Sequence, residues 1–231
     1  MQAWKKQSFG DALVIQNEKC GGNKMDNIVV TIARQYGSGG KTIGQMFAEK
    51  NGMPWYDMDL AKMASEESGI KEELFREADE RLKNSPLLRL TTDVYEDGDL
   101  IPPGSKDFVS ARNLFNYKAK IIKRLAETEN CVIIGRAADF VLRNYPNVVS
   151  VFVHASDEFN LARAMERNSM TEAEMTKFIN QTNRYRADYY RHYTGRDWVD
   201  ARNYDLCLNS GKLGFEKCVE EIEAYIKVRF S

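Results

Sequence analysis

Histidine is nearly missing from this 231-residue chain. His154 and His192 are the only two, and they stand far apart. Such scarcity argues against a zinc site. Cysteine is also sparse: Cys20, Cys131, Cys207 and Cys218, with no CxxC pair. That spacing speaks against zinc-ribbon and dithiol redox chemistry. Cys131 and Cys207 fall in apolar runs, and Cys218 on the apolar face of a late helical pattern. They read as buried thiols of a reduced cytoplasm, not as disulfide partners. No run reaches the roughly 18 apolar residues of a membrane span. Neither sign of charge is in surplus, with 33 Lys and Arg against 34 Asp and Glu. No global basic field attracts nucleic acid, so local arginine clusters need local reasons. There is no internal repeat and no low-complexity tract.

What is present is enough apolar residue, 43%, for a proper core. Four short, nearly continuous apolar runs read as strands: 27–33, 131–135, 148–155 and 204–209. A shorter fifth lies around 53–57. Continuous runs suit parallel strands covered on both faces. Between them lie helical patterns at 41–51, 59–68, 70–83, 108–128, 156–168 and 214–228, and a capping box at Thr171 and Glu174 opens another helix. Strand and helix alternate, which predicts an α/β fold around a mostly parallel sheet. Residues 1–24 lack periodicity and the apolar core of a signal peptide. They read as a poorly ordered extension before a single domain, 25–231. Two stretches break the rhythm: a turn-rich one at 84–107, with Pro86, Pro102 and Pro103, and a long Arg- and Tyr-rich one at 168–203.

The first strand runs into "RQYGSGGKTIG", residues 34–44. A glycine-rich turn between strand and helix exposes backbone N–H groups where the helix dipole is positive. Gly37, Ser38, Gly39 and Gly40 let the chain curl around an anion. Lys41 at the first helical turn reaches phosphate, and the Thr42 hydroxyl suits Mg²⁺. The full Walker pattern needs glycine where this chain has Gln35.

The stretches "TIARQYGSGGKTIG", "GMPWYD", "CVIIGRAADFVLRNYPNVVSVFVHA" and "RYRADYYRHYTGRDW" together resemble the cytidylate-kinase-like family of P-loop nucleoside monophosphate kinases. The resemblance implies a three-layer P-loop NTPase fold with a helical acceptor-side insert, about 57–107, and a helical lid, about 168–203. It implies phosphoryl transfer from ATP, with Mg²⁺, to a nucleoside monophosphate, most simply CMP or dCMP. A small-molecule substrate, no membrane, no nucleic acid and a cytoplasmic setting follow.

By the same resemblance Lys41 and Arg136 serve catalysis. Arg184, Arg186 and Arg191 belong to a lid that closes over both substrates and excludes water. Arg163 and Arg167, four apart on one helix face, suit transferring phosphate, or a solvated face paired with Glu166 or Asp157. Arg136 fits the acceptor phosphate as a planar fork, or a salt bridge at a strand end. Arg34 suits phosphate or a carboxylate at the sheet's end. Asp57 suits acceptor contact, or a cap on helix 59–68. Two departures stand out: Ala137 follows Arg136 where cytidylate kinases place Asp, leaving Asp139 as the nearest acid for acceptor binding, and Met58 and Asp59 replace a Ser-Gly pair. Family lids carry an Asp near Asn183. These departures keep two alternatives open: a P-loop kinase for another small acceptor, and a nucleotide-binding regulator without transfer.

Overall fold

The computed structural model describes residues 27–84, 92–97 and 100–231; the expected extension at 1–24 and Cys20 lie outside them. Five strands form one all-parallel sheet: β1 (Val29–Arg34), β2 (Trp55–Tyr56), β3 (Cys131–Ile134), β4 (Val148–His154) and β5 (Leu206–Asn209). Their order is β2-β3-β1-β4-β5. Val30 is level with Val132 on one side and Val149 on the other. Each expected strand is present, with the fifth reduced to two residues.

Alternation along the strands sends side chains to two separate cores. Val30, Ile32, Val132, Ile134, Val149 and Val151 meet Ile43 and Phe47 of α1 (Gly40–Lys50) and Ile222 and Ile226 of the last helix (Phe215–Arg229). Val29, Ala33, Cys131, Ile133 and Phe152 meet the opposite layer. That layer includes α2 (Asp59–Ser68), α3 (Glu72–Asn84) and α4 (Ala111–Thr128). Sheets buried on both faces need such unbroken apolar strands, which is why the runs in the sequence do not alternate with polar residues.

Helix ends follow the sequence signals. Gly69 adopts φ 73° after α2, and Ser110 accepts from the Asn113 N–H to start α4 three residues later than the periodicity predicts. Ser156 caps α6 (Asp157–Met165), which follows the four-residue α5 (Ala138–Val141). The capping box at Thr171 and Glu174 opens α7, a single helix from Glu172 to Thr194. The long polar stretch is therefore mostly one helix. From the turn-rich stretch, the Asp93 and Tyr95 N–H groups donate to the carbonyls of His192 and Tyr193 on α7 (2.8 and 2.7 Å).

One cysteine departs from expectation. Cys131 and Cys218 are buried, but Cys207 is exposed. It sits on β5, an edge strand, and only one residue of that strand, Leu208, is fully covered.

Candidate active site

The loops after β1, β2 and β3 open at the carboxyl ends of the strands, the crevice where open α/β sheets hold ligands. After β1 the chain turns sharply. Gly37 has φ 86°, and a Cβ there would stand 2.3 Å from the Asn160 carbonyl oxygen. Only glycine fits this close approach of two backbones. Gly39, at φ 77°, is the N-cap of α1, and no side chain caps that helix. Its first-turn N–H groups face a cavity of about 260 Å³ lined by Gly37, Gly39, Gly40, Lys41, Thr42, Arg163 and Arg167, among others. Uncapped amides, the helix dipole and three flanking cations make this an anion cradle.

Ser38 takes a different place from its neighbours. Its hydroxyl is fully buried and donates to the carbonyls of Gln35 (2.9 Å) and Val153 (3.1 Å). Ser210 in turn donates to the Ser38 carbonyl at 2.6 Å. Ser38 shapes the loop from beneath, and its hydroxyl is turned away from the cradle.

A second cavity, about 410 Å³, opens beside the first. Its walls include Arg34, Asp57, Arg136, Asp139, Tyr185 and Tyr189. Arg34, Asp57 and Arg186 line both cavities. Asp57, which is buried, pairs with Lys41 Nζ at 3.1 Å and with Arg34 at 3.6 Å. Of the two readings for Asp57, the helix cap fails: Met58 is the N-cap of α2 and no side chain caps it. Arg34 takes the carboxylate at the sheet's end.

Arg136 follows β3 in an unusual backbone. Gly135, Arg136 and Ala137 all have positive φ, at 78°, 62° and 53°. A Cβ at position 135 would press on the Arg34 guanidinium, and the left-handed φ there favours glycine where the two arginines converge. Left-handed Arg and Ala together cost roughly 1–3 kcal/mol each and persist only where the surroundings fix them. Here the Arg136 guanidinium donates to Asp79 at 2.8 Å. Asp79 also accepts from Lys118 at 2.8 Å, a lysine only 3% exposed.

Three arginines therefore converge on one wall with few counter-charges. Arg186 donates to the Arg34 carbonyl at 2.8 Å and stands over the Tyr36 ring. Burial first, and then the neighbouring Arg34, pushes the Arg186 pKa down to about 9. It is still cationic at neutral pH. Like charges gathered in a partly dry cleft are relieved by an incoming anion.

The sequence from Val29 to Lys212 matches the model of the cytidylate kinase-like family, residues 29–212, most of the chain. The chain belongs to that family. An uncharacterized protein from Eubacterium ventriosum shares 25% identity, with a TM-score of 0.62, over 87% of this chain and 99% of that one. Shikimate kinase from Bacteroides thetaiotaomicron aligns over 87% of this chain and 98% of its own, at 15% identity and a TM-score of 0.49. A likeness that distant says nothing about substrate. Among curated proteins, none matches the sequence.

Not all the family-implied arginines meet. Arg186 reaches the cleft, whereas Arg184 and Arg191 lie exposed on another face of α7. Helical geometry explains it: at about 100° per residue, positions 184 and 191 coincide and position 186 lies opposite. Arg184 stands 3.9 Å from Asp188, and its side chain is 74% exposed. Arg163 and Arg167 line the cradle, and Arg163 also pairs with Glu166 at 2.5 Å. Asn183 accepts the Tyr36 N–H at 2.7 Å, which ties α7 to the glycine loop.

Sequence reasoning missed Asp79, Lys118 and Tyr189. Lys118 carried a signal: it falls inside the apolar stripe Phe115, Ala119 and Ile122 of α4. A lysine there needs a buried partner.

Asp139 sits at the far wall, accepting the Tyr190 O–H at 2.6 Å. Burial raises its pKa to about 6 from the usual 3.8, with the Tyr190 bond opposing. The folded state thus holds the proton more tightly than the unfolded one. Stability from this group is fully present below pH ~4 and is lost as pH rises through about 6. Asp139→Asn mimics the protonated acid and can still accept from Tyr190. We expect it to match wild type near pH 4 and to exceed it at pH 7–8 by about 2–3 kcal/mol. Thermal unfolding across that range checks the growing difference.

The donor set also bears on magnesium. Among the described residues no cluster of three or more His, Cys, Asp or Glu could hold a metal ion alone. Thr42 and Asp57 do line the glycine cradle. That set fits Mg²⁺, which uses one or two protein ligands and takes others from substrate phosphates and water.

Proposed function

We propose that the protein transfers the γ-phosphoryl group of ATP to a nucleoside monophosphate, with CMP and dCMP as the first candidates. One observation carries the reading: the glycine cradle and the arginine- and tyrosine-lined cavity share Arg34, Asp57 and Arg186. Donor and acceptor bound in them would meet at that shared wall, and phosphoryl transfer needs little beyond such positioning and charge neutralisation.

In this reading the amides of Gly37–Thr42 and Lys41 hold the β- and γ-phosphates. Thr42 would hold Mg²⁺, which neutralises charge on the phosphate oxygens. Arg136 grips the acceptor phosphate, and Arg186 faces the migrating group. An oxygen of the acceptor phosphate bonds to the γ-phosphorus as the bond to the β,γ-bridging oxygen breaks, releasing ADP. Helices α2 and α3 form the acceptor-side insert of a single domain, and α7 forms the lid, with Phe178 against Tyr36 at 5.1 Å. Lys41, held by Asp57 in this structure, exchanges that carboxylate for phosphate.

A second acceptor class is favoured by Met58 and Ala137, which line the acceptor cavity where cytidylate kinases carry other residues. A panel of nucleoside monophosphates, shikimate, gluconate and related small metabolites, read by ADP release, separates the two. We expect turnover with at least one pyrimidine monophosphate. Turnover with non-nucleotide acceptors alone would overturn the nucleotide assignment.

A further inference from the structure

A residue on the wall of the acceptor cavity carries a buried hydroxyl that the proposed roles leave unused. Tyr189 is 6% exposed and lines that cavity, yet its hydroxyl has no hydrogen-bond partner among the described residues. Buried phenols nearly always find one. The ring is fixed on several sides. Tyr193 packs edge-on at 4.9 Å, Tyr185 at 6.1 Å and Phe115 at 6.3 Å between centroids. The Lys118 ammonium stands 5.7 Å from its centre. These contacts hold the ring in place.

The neighbouring charges point to when the hydroxyl acquires a partner. Asp79 and Arg136 both act on it electrostatically, after burial itself. Asp79 is already occupied, taking Lys118 on one oxygen and Arg136 on the other. The hydroxyl oxygen is shut off from solvent in this state, so its partner must come with a local rearrangement. Arg136 is the neighbour placed to make it, since an anion in the cavity competes with Asp79 for the guanidinium.

We propose that Tyr189 is a specificity-determining residue whose hydroxyl donates to the anionic group that draws Arg136 away from Asp79. The inference rests on the kinase reading and deepens it: the acceptor must present an anion able to take the guanidinium and the phenol together. A phosphate monoester has oxygens for both, whereas a neutral polyol draws neither.

Tyr189→Phe tests this, because it removes one oxygen and keeps the ring. Wild type and variant are compared with the monophosphates that turn over, and by calorimetry with CMP if none does. We expect kcat/KM for the acceptor, or CMP affinity, to fall about tenfold. The KM for ATP should hold within twofold, and Tm should be unchanged or higher because an unpaired buried hydroxyl is gone. A purely structural hydroxyl would move Tm alone. Unchanged acceptor kinetics with an active wild type would overturn the Tyr189 role and leave the kinase reading standing. A wild type that neither turns over nor binds any monophosphate would overturn both. Weakened use of a neutral acceptor by the same factor would overturn the link to an anion.

Discussion

Lys41→Ala is expected to lower turnover by about 10²–10³-fold, the usual range for losing one preorganised charge from a transition state. The fold should survive. The lysine side chain is 49% exposed, and the core beneath it is formed by Ile43, Phe47 and the strands. Asp57 keeps Arg34 as its remaining cation, so the carboxylate is not stranded. The variant should show the wild-type far-ultraviolet spectrum and a Tm within a few degrees. ADP release with the best acceptor measures the loss. Equal turnover in the variant would remove Lys41 from the chemistry.

Arg136→Ala should strike the other substrate. Truncating one member of a largely buried, hydrogen-bonded charge pair costs about 2–5 kcal/mol. We expect acceptor kcat/KM to fall by roughly 10²-fold or more, with the KM for ATP nearly constant. Stability should fall less, by about 1–3 kcal/mol, because Asp79 retains Lys118 at 2.8 Å. The contrast between the two substrates is the informative part. An equal loss for ATP and acceptor would mean that Arg136 supports the cleft as a whole.

The two variants rest on one structural arrangement. In this state Lys41 is held by Asp57 and Arg136 by Asp79, so internal carboxylates sit against the cations proposed to take phosphate. A ligand must displace them, and it gains the charge-assisted bonds that they release. The acid Asp139, on the wall of the same cavity, is committed to Tyr190.

Much of the fold was legible because its signals are local. The apolar runs give strands buried on both faces, Gly69 closes α2, and Thr171 with Glu174 opens α7. The glycine loop was legible for the same reason: its backbone demands residues without Cβ, and the sequence shows them in order. Other features depend on contacts between distant parts of the chain. Asp79 and Lys118 are 39 residues apart, and Asp79 and Arg136 are 57 apart. No period or spacing announces such pairs, although a lysine inside an apolar stripe hints that a partner exists. The left-handed run from Gly135 to Ala137 was equally silent, since Arg and Ala carry no preference for it. Among the arginines of α7, spacing grouped Arg184 with Arg191, but only the packing of that helix revealed that Arg186 faces the cleft.

On the proposed function, the main chain from Gly37 to Thr42 receives a polyphosphate. Amide resonances of the isotopically labelled protein, followed while MgATP is added, test it most directly. Saturable shifts of the Gly37, Gly39, Gly40 and Lys41 amides are expected, larger than those of any strand amide and retained with ADP. Undisturbed resonances at those four positions in millimolar nucleotide would contradict it.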